Sequence, residues 1–427
     1  MILSHRIVSI TAREVFSPKG YPCVESTVIT KKGAIGTAIA VAGTSVGEKE
    51  AKFVYDENSR LLGWGVQRAV ENVINVIAPA LIGLDITKQL EIDDILINLD
   101  TTTDKSKLGA NAIGSVSAAV LKAGAKSLGI PLYKHIGGVN ACTIPVPGVM
   151  TVRGSYRYGD GENSGGKPTY AIMCYGFNNF REAAYAGWKV FAEYIRILNM
   201  KYKLGFTMEH YSKLLINCKM IKHDRELWDT MVEAITNLGY EGKMGIQVDV
   251  AASTYFNKAS QKYTGLFSAG DKTKDDLINI YKEMKGHYPF IIIEDPLEED
   301  DFEGHAYLTK ELGIEIVGDD LFAMDIYRLK KAIRLGAGNS VLLKVYQRGT
   351  ISEAFEVVRF AYRHGYRIMP CSSRGEGADI ADYAVGLNTG YIREGAIDEV
   401  GNRLLKIESE LGNTAKFIGK EFFLLRL

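Results

Sequence analysis

The sequence has little cysteine, no excess of either charge and no long apolar run, and each shortage closes off a class of answer. Its five cysteines (Cys23, Cys142, Cys174, Cys218 and Cys371) are odd in number, widely scattered and never in Cys-x-x-Cys spacing. That excludes a disulfide framework or a thiolate zinc site and implies a reducing compartment. Lys and Arg total 51 against 51 Asp and Glu, so the chain carries neither the basic footprint of a nucleic-acid or anionic-membrane binder nor an acidic tail. The longest tempting apolar stretch, residues 73–84, is too short for a membrane span and contains Asn75 and Pro79. Arg6, Arg13 and Glu14 interrupt any export signal. The expectation is a cytoplasmic protein with no nucleic-acid and no membrane partner.

What is present is the composition of a folded chain, 46% hydrophobic and 10% aromatic over 427 residues. Alternation at Ile7, Ser9 and Thr11, followed by residues 26–30 and 34–41 around Lys31-Lys32-Gly33, predicts antiparallel strands and a hairpin. Val66, Val70, Val73 and Ile77 lie at helical spacing, and an Ala-rich run over 107–127 predicts a second helix ending near Gly129. Residues 1–140 therefore read as a smaller α+β domain. The stretch 153–167, crowded with Gly, Ser, Tyr, Asp and Asn, reads as a long mobile loop. Beyond it, β-branched runs at 244–250, 290–293, 314–317, 341–345 and 367–369 alternate with helix-length segments. Residues 141–427 have the right size for an α/β fold of the (β/α)8 barrel type.

Each of four such runs finishes on a polar residue: Asp249, Glu294, Asp319 and Lys344, spaced by 45, 25 and 25 positions. One β/α unit takes about that many residues, so the four side chains should converge at the C-terminal mouth of a barrel. Three carboxylates with an ammonium form a metal-plus-base arrangement, and hard oxygen donors from separate strands suit Mg²⁺. A lysine beside a dication has its ammonium form disfavoured and can take a proton. A single acid at a strand end is more often a turn former or cap; four at barrel spacing are the stronger signal. Their neighbours Asp295, Glu298, Glu299 and Asp320 read as caps or solvated charges. His287, His305 and His364 lack ligand spacing and read as structural. Gly159-x-Gly161 has no flanking strand and helix to make it a phosphate loop.

Several longer matches carry a family resemblance: Gly20-Tyr-Pro-Cys-Val-Glu25, Lys105-Ser-Lys-Leu-Gly-Ala-Asn-Ala-Ile113, Ile144-Pro-Val-Pro147, Ile293-Glu-Asp-Pro296, Asp319-Asp-Leu321, Leu343-Lys-Val-Tyr-Gln-Arg-Gly-Thr350 and Ile407-Glu-Ser-Glu-Leu-Gly412. Over almost its whole length the chain resembles enolase, the phosphopyruvate hydratase family. The resemblance implies an α+β cap on a modified barrel, a homodimer, a small-molecule anionic substrate, and the glycolytic interconversion between 2-phosphoglycerate and phosphoenolpyruvate. It implies Mg²⁺ on Asp249, Glu294 and Asp319, a second Mg²⁺ on Ser45, and Lys344 as the base that removes the α-proton. A lysine base working with Mg²⁺ is the known logic of this superfamily.

The chain also departs from the family pattern. The loop Ser-Gly-Ala-Ser-Thr-Gly is Ala42-Gly-Thr-Ser-Val-Gly47, which keeps Ser45. Asn-Gly-Gly-Ser-His is replaced by Val152-Arg-Gly-Ser-Tyr156, a following Gln-Glu pair by Pro168-Thr169, and Gly-Asp-Glu-Gly-Gly by residues 213–217. Ser-His-Arg-Ser becomes Cys371-Ser-Ser-Arg374, and the second active-site lysine corresponds to Arg393. The metal and base positions are retained while the general acid and its surroundings are rewritten; losing such an acid typically costs roughly 10²–10⁴ in rate. The expectation is a divergent Mg²⁺-dependent lyase acting on a carboxylate substrate, with Ser372, Ser373, Arg374 and Arg393 binding it and Arg153, Arg157 and Lys167 as further anion contacts. Asp160, Glu162 and Glu209 are the candidates to replace the acid. The alternative is a catalytically impaired relative serving as a binding scaffold.

Overall fold

The structure, a computed structural model, describes residues 5–41, 49–153, 158, 167–216 and 220–424. Strands β1 (Ile7–Phe16), β2 (Pro22–Thr30) and β3 (Ile35–Ala40) form an antiparallel sheet in that order. The expected hairpin joins β2 to β3: the Thr30 amide donates to Ala34 O at 3.0 Å, and Gly33 takes φ 83°, which a glycine adopts without a Cβ penalty. One face of the sheet, including Val24, Val28, Ala38 and Ala40, is buried. Against it lies helix α2 (Ala110–Leu128), which ends on left-handed Gly129 as the sequence predicts, and helix α1 (Gln89–Asp100) packs on α2. A Cβ on Gly36 would stand 2.0 Å from Ala119 O, so only glycine permits the approach of β3 to α2. The periodic run near residue 70 is helical at Gln67–Asn72 and continues through a wider turn at Val73–Ile77. Helix α1 is invisible to an apolar-stripe search because two of its four buried residues are Asp93 and Asp100. Asp93 is compensated by the Ser117 and Ser352 hydroxyls, both at 2.6 Å.

Among the described residues, eight strands make the barrel wall. They are β4 (Val146–Val152), β5 (Thr169–Cys174), β6 (Met244–Asp249), β7 (Phe290–Glu294), β8 (Glu315–Gly318), β9 (Ser340–Leu343), β10 (Arg367–Pro370) and β11 (Tyr391–Gly395). The hydrogen-bonded order runs β10-β9-β8-β7-β6-β5-β4-β11, and β10 packs beside β11 to bring the ring nearly to closure. β5 runs antiparallel to both neighbours, and two helices, α3 (Phe180–Tyr202) and α4 (Arg225–Asn237), follow it before β6. From β6 onward the chain alternates strand and helix: α5 (Lys274–His287), α6 (Phe302–Leu312), α7 (Ile326–Leu335), α8 (Ile351–Arg363), α9 (Asp379–Gly386) and α10 (Glu399–Leu411). This is the modification of the barrel: a β-β-α-α opening followed by β/α units. A strand buried on both faces is apolar throughout and carries no mark of its direction, so the reversal of β5 cannot be read from its residues.

The interior of the barrel is a separate apolar layer of Val146, Met173, Ile292, Val317, Leu342, Met369 and Tyr391, closed below by Phe422 and Phe423. The alternation of side chains along a strand then sets what comes two residues later, at the mouth. Glu294 follows Ile292, Asp319 follows Val317, Lys344 follows Leu342, Cys371 follows Met369, and Arg393 follows Tyr391. Asp249 holds the same relation to Gln247, whose neighbours Ile246 and Val248 pack outward against the helices.

His305 on α6 is structural, as its lack of ligand spacing suggests. It is fully buried, with Nδ1 2.8 Å from Asp301 O and Nε2 without a partner, and burial lowers its pKa to about 4. Above pH ~6.5 the imidazole is neutral folded and unfolded. As pH falls from ~6.5 to 4 only the unfolded state protonates, removing about 3 kcal/mol of stability. Urea unfolding of wild type and His305→Leu at pH 7 and pH 4.5 should therefore show a smaller acid loss in the variant; equal losses would place the acid sensitivity elsewhere.

Candidate active site

Four strand ends bring Asp249, Glu294, Asp319 and Lys344 together, all buried. Lys344 Nζ donates to Asp319 Oδ2, and Gln347 Nε2 donates to Asp319 Oδ1 at 3.0 Å. Arg393, from the adjacent end of β11, lies across the opposite carboxylates: it contacts Asp249 Oδ2, approaches Glu294 Oε1 at 3.4 Å and donates to Thr169 Oγ1 at 3.1 Å. Lys167 pairs with Asp249 as well. Thr169 is at the mouth because β5 runs in reverse, which puts its first residue where the other strands end.

The charges are strongly interdependent. Burial would raise the Asp319 carboxyl, but Lys344 and then Arg374 outweigh it and hold it down to about 2. Burial and Arg374 would lower Lys344, yet Asp319, Glu50 and Asp320 prevail and keep its ammonium form above the usual range. Burial pushes Glu294 up, while burial and then Arg393 push Lys167 down.

Asp320 and Glu299 correct the reading of the acidic neighbours as solvated charges, since both are buried, whereas Asp295, also buried, caps a turn as that reading allowed. Asp295 has φ 44° and receives the amides of Asp319 at 3.0 Å, Asp320 at 2.8 Å and Leu321 at 3.4 Å, so it shapes the turn that presents Asp319. Burial and three neighbouring carboxylates raise its pKa well above the ordinary range. Glu294, Asp295 and Asp319 offer oxygens within 4.8 Å of one another, a cluster able to hold a cation. The oxygens of Asp295 are taken up by those amides, whereas Asp249 Oδ1 and Glu294 Oε2 are buried acceptors without a hydrogen-bond partner. The unsatisfied hard oxygens of Asp249 and Glu294, with Asp319 clustered beside Glu294, suit a dication.

The remaining expected residues divide. Ser45, Arg157, Asp160 and Glu162 lie outside the described residues. Glu209 is exposed on a short turn at Met208–His210. Ser372, Ser373, Arg374 and Arg393 line one cavity of about 800 Å³ with Lys344 and Lys167, between the mouth and the N-terminal sheet. The Ser372 amide donates to Glu394 Oε1 at 2.6 Å, and Ser373 Oγ is buried without a partner. Arg374 is 2% exposed, and Glu50 holds its guanidinium at 2.6 Å. Sequence reading leaves Gln347 and Thr169 out of the site and expects Lys167, at the end of a loop, to be an anion contact, whereas the structure pairs it with Asp249. The signal for Gln347 is its position one turn after Lys344; the Lys167–Asp249 pairing has none, because it depends on the reversed strand.

The N-terminal unit covers this mouth. Val41 N donates to Arg374 O at 2.9 Å, Ala51 N donates to Gln347 O at 3.0 Å, and Glu50 reaches Arg374 from the same side. The enolase C-terminal TIM barrel domain model matches residues 141–425 and the enolase N-terminal domain model residues 7–136. Similar curated proteins include the enolase of Methanococcus aeolicus, 41% identical over 428 residues and 98% of both chains. The enolase of Pyrococcus furiosus is 41% identical over 440 residues, 98% of both chains. That of Methanocaldococcus jannaschii is 39% identical over 431 residues, 97% of this chain and 98% of its own. With an acid-and-lysine mouth on a β-β-α-α barrel, an α+β unit above it and such identity along both, this chain belongs to the enolase family.

Proposed function

We propose that the protein is an enolase-type carbon–oxygen lyase that removes the α-proton of a carboxylate substrate in a Mg²⁺-dependent reaction, with 2-phosphoglycerate or a related phospho- or hydroxy-acid as substrate. The observation that carries this is the convergence of Lys344 with three buried carboxylates, two of them holding unpartnered oxygens. Asp249, Glu294 and Asp319 are the residues that would hold the metal, with Ser45 as a ligand to a second ion. A bound dication supplies electrostatic stabilisation for the negative charge that develops on the substrate carboxylate.

The chain's own residues do the rest. Lys344 Nζ accepts the α-proton and the C–H electron pair passes into the enolate; departure of the β-hydroxyl as water then requires a proton from an acid. Lys344 must first be neutral, and Asp319 opposes that, so whatever draws charge from Asp319 releases Lys344 for the step. Gln347 keeps Asp319 oriented, and the 1–140 unit, over a barrel at 141–427, restricts water at the mouth. A cytoplasmic homodimer is part of this reading and rests on the family resemblance alone; no described helix is long and apolar enough to cross a membrane, and the four described cysteines are free thiols.

In deuterated water, 2-phosphoglycerate should exchange its α-proton with Mg²⁺ present, and chelation should stop the exchange until Mg²⁺ is restored. A second reading draws on the pairing of Asp249 with Lys167 and Arg393: a scaffold whose carboxylates are neutralised by the chain's own cations. It expects no exchange for any phosphorylated or plain 2-hydroxy acid, at any Mg²⁺ concentration.

A further inference from the structure

The barrel wall has a seam. Backbone ladders join the strands in order from β10 round to β11, but among the described residues none joins β10 to β11 themselves. On its other edge β11 pairs with β4 at Tyr391, Ile392 and Gly395, and the register slips between Ile392 and Gly395. Arg393, the residue that crosses Asp249 and Glu294, therefore sits in an irregularity on one side and borders the unladdered seam on the other. A ladder fixes strand register because a slip exchanges the two faces; without one, side chains must hold the strands in place.

Side chains bridge this seam at both ends. At the mouth, Arg393 Nη1 lies 3.4 Å from Cys371 Sγ, and the Ser372 amide donates to Glu394 Oε1 at 2.6 Å. At the opposite end the bridge is Phe422, from the short C-terminal turn Glu421–Leu424. Its ring takes the guanidinium of Arg367 on β10 at 4.1 Å and stacks on Tyr391 of β11 at 4.8 Å. Phe423 backs it at 5.2 Å and reaches Tyr391 at 6.1 Å and Tyr175, just past β5, at 5.6 Å. The seat is specific, since Gly390 has φ 80° and a Cβ there would run into the Phe422 ring. The Tyr391 hydroxyl also meets Ser340 Oγ on β9. Tyr391 and Arg393 are alternate residues of one extended strand and share a face, so a displacement of the tyrosine carries the arginine with it.

We propose that Phe422 clasps the open seam and, through Tyr391, is a positioning residue for Arg393. The C-terminal turn thereby governs how strongly the chain's own cation competes with Mg²⁺ for Asp249 and Glu294. The competition rests on the metal-dependent lyase reading; the clasp does not.

The test is a double-mutant cycle on the full chain, metal-free, by urea unfolding. Phe422→Ala is combined with Arg393→Met; Phe422→Leu and Arg393→Lys, which keep bulk and charge, complete the cycle should either drastic variant fail to fold. Independent sites add to within about twofold in the unfolding constant, and the clasp should make the pair depart from additivity by about fivefold or more. The second readout is Mg²⁺ affinity by calorimetry. Phe422→Ala should tighten Mg²⁺ binding by about fivefold or more when Arg393 is present, and by less than about twofold in Arg393→Met, with Phe422→Leu close to wild type in both. Additive unfolding overturns the clasp. Coupled unfolding with the same Mg²⁺ affinity in wild type and Phe422→Ala overturns the competition. Absence of Mg²⁺ binding in wild type overturns the metal reading, and the unfolding cycle still decides the clasp.

Discussion

Lys344→Ala is expected to lower Mg²⁺-dependent α-proton exchange by roughly 10²–10⁴-fold, the usual worth of a positioned proton acceptor. The structure adds a consequence that a catalytic role alone does not contain. Lys344 is also the ammonium partner of Asp319, so its removal leaves a buried carboxylate with Gln347 as its remaining side-chain donor. Stranding one partner of a buried pair costs about 3–5 kcal/mol, and the metal-free variant should unfold at markedly lower denaturant than wild type. The double variant Lys344→Met with Asp319→Asn removes both charges and should recover most of that loss without recovering exchange. Urea unfolding with deuterium exchange on the same preparations separates the two roles. Exchange at the wild-type rate in Lys344→Ala would rule out this lysine as the base.

Glu50→Gln is expected to destabilise the protein by about 3–5 kcal/mol without touching any strand of the barrel. Glu50 and Arg374 are 3% and 2% exposed and lie 324 positions apart, one on the N-terminal unit and the other on the loop after β10. The carboxamide would leave the Arg374 guanidinium buried beside a neutral group, and the cost would fall on the contact between the two parts of the chain. Limited proteolysis should accordingly cut Glu50→Gln faster than wild type, and Glu50→Gln with Arg374→Met should be more stable than Glu50→Gln alone. If Glu50→Gln unfolds at the wild-type midpoint, the pair does not hold the cap on the mouth.

Much of the architecture was legible because it rests on local rules. The hairpin at Lys31-Lys32-Gly33 needed a positive-φ glycine between two alternating runs, and α2 needed an Ala-rich stretch closed by Gly129; both signals sit within a few residues. The spacing of Asp249, Glu294, Asp319 and Lys344 was legible for a related reason. Each barrel unit repeats strand and helix, so a polar residue at the end of a both-sides-buried strand stands out against its own neighbours. Helix α1 escaped because Asp93 and Asp100, buried acids satisfied by distant hydroxyls and amides, replace apolar residues on its inner face. The burial of Asp320 and Glu299 is hidden for the same cause: burial of a charge is visible only once its partners are placed.

By itself, then, the sequence determined the family, the class of fold and the row of strand-end residues, since these follow from periodicity and from motifs contiguous in the chain. Only the tertiary structure decided which cation serves which carboxylate. The reversal of β5 put Thr169 at the mouth and Lys167 on Asp249, Arg393 came to span two acids, and Glu50 crossed from the other part of the chain to take Arg374. Coulomb energy depends on separation and local dielectric, and neither is set until the chain has folded.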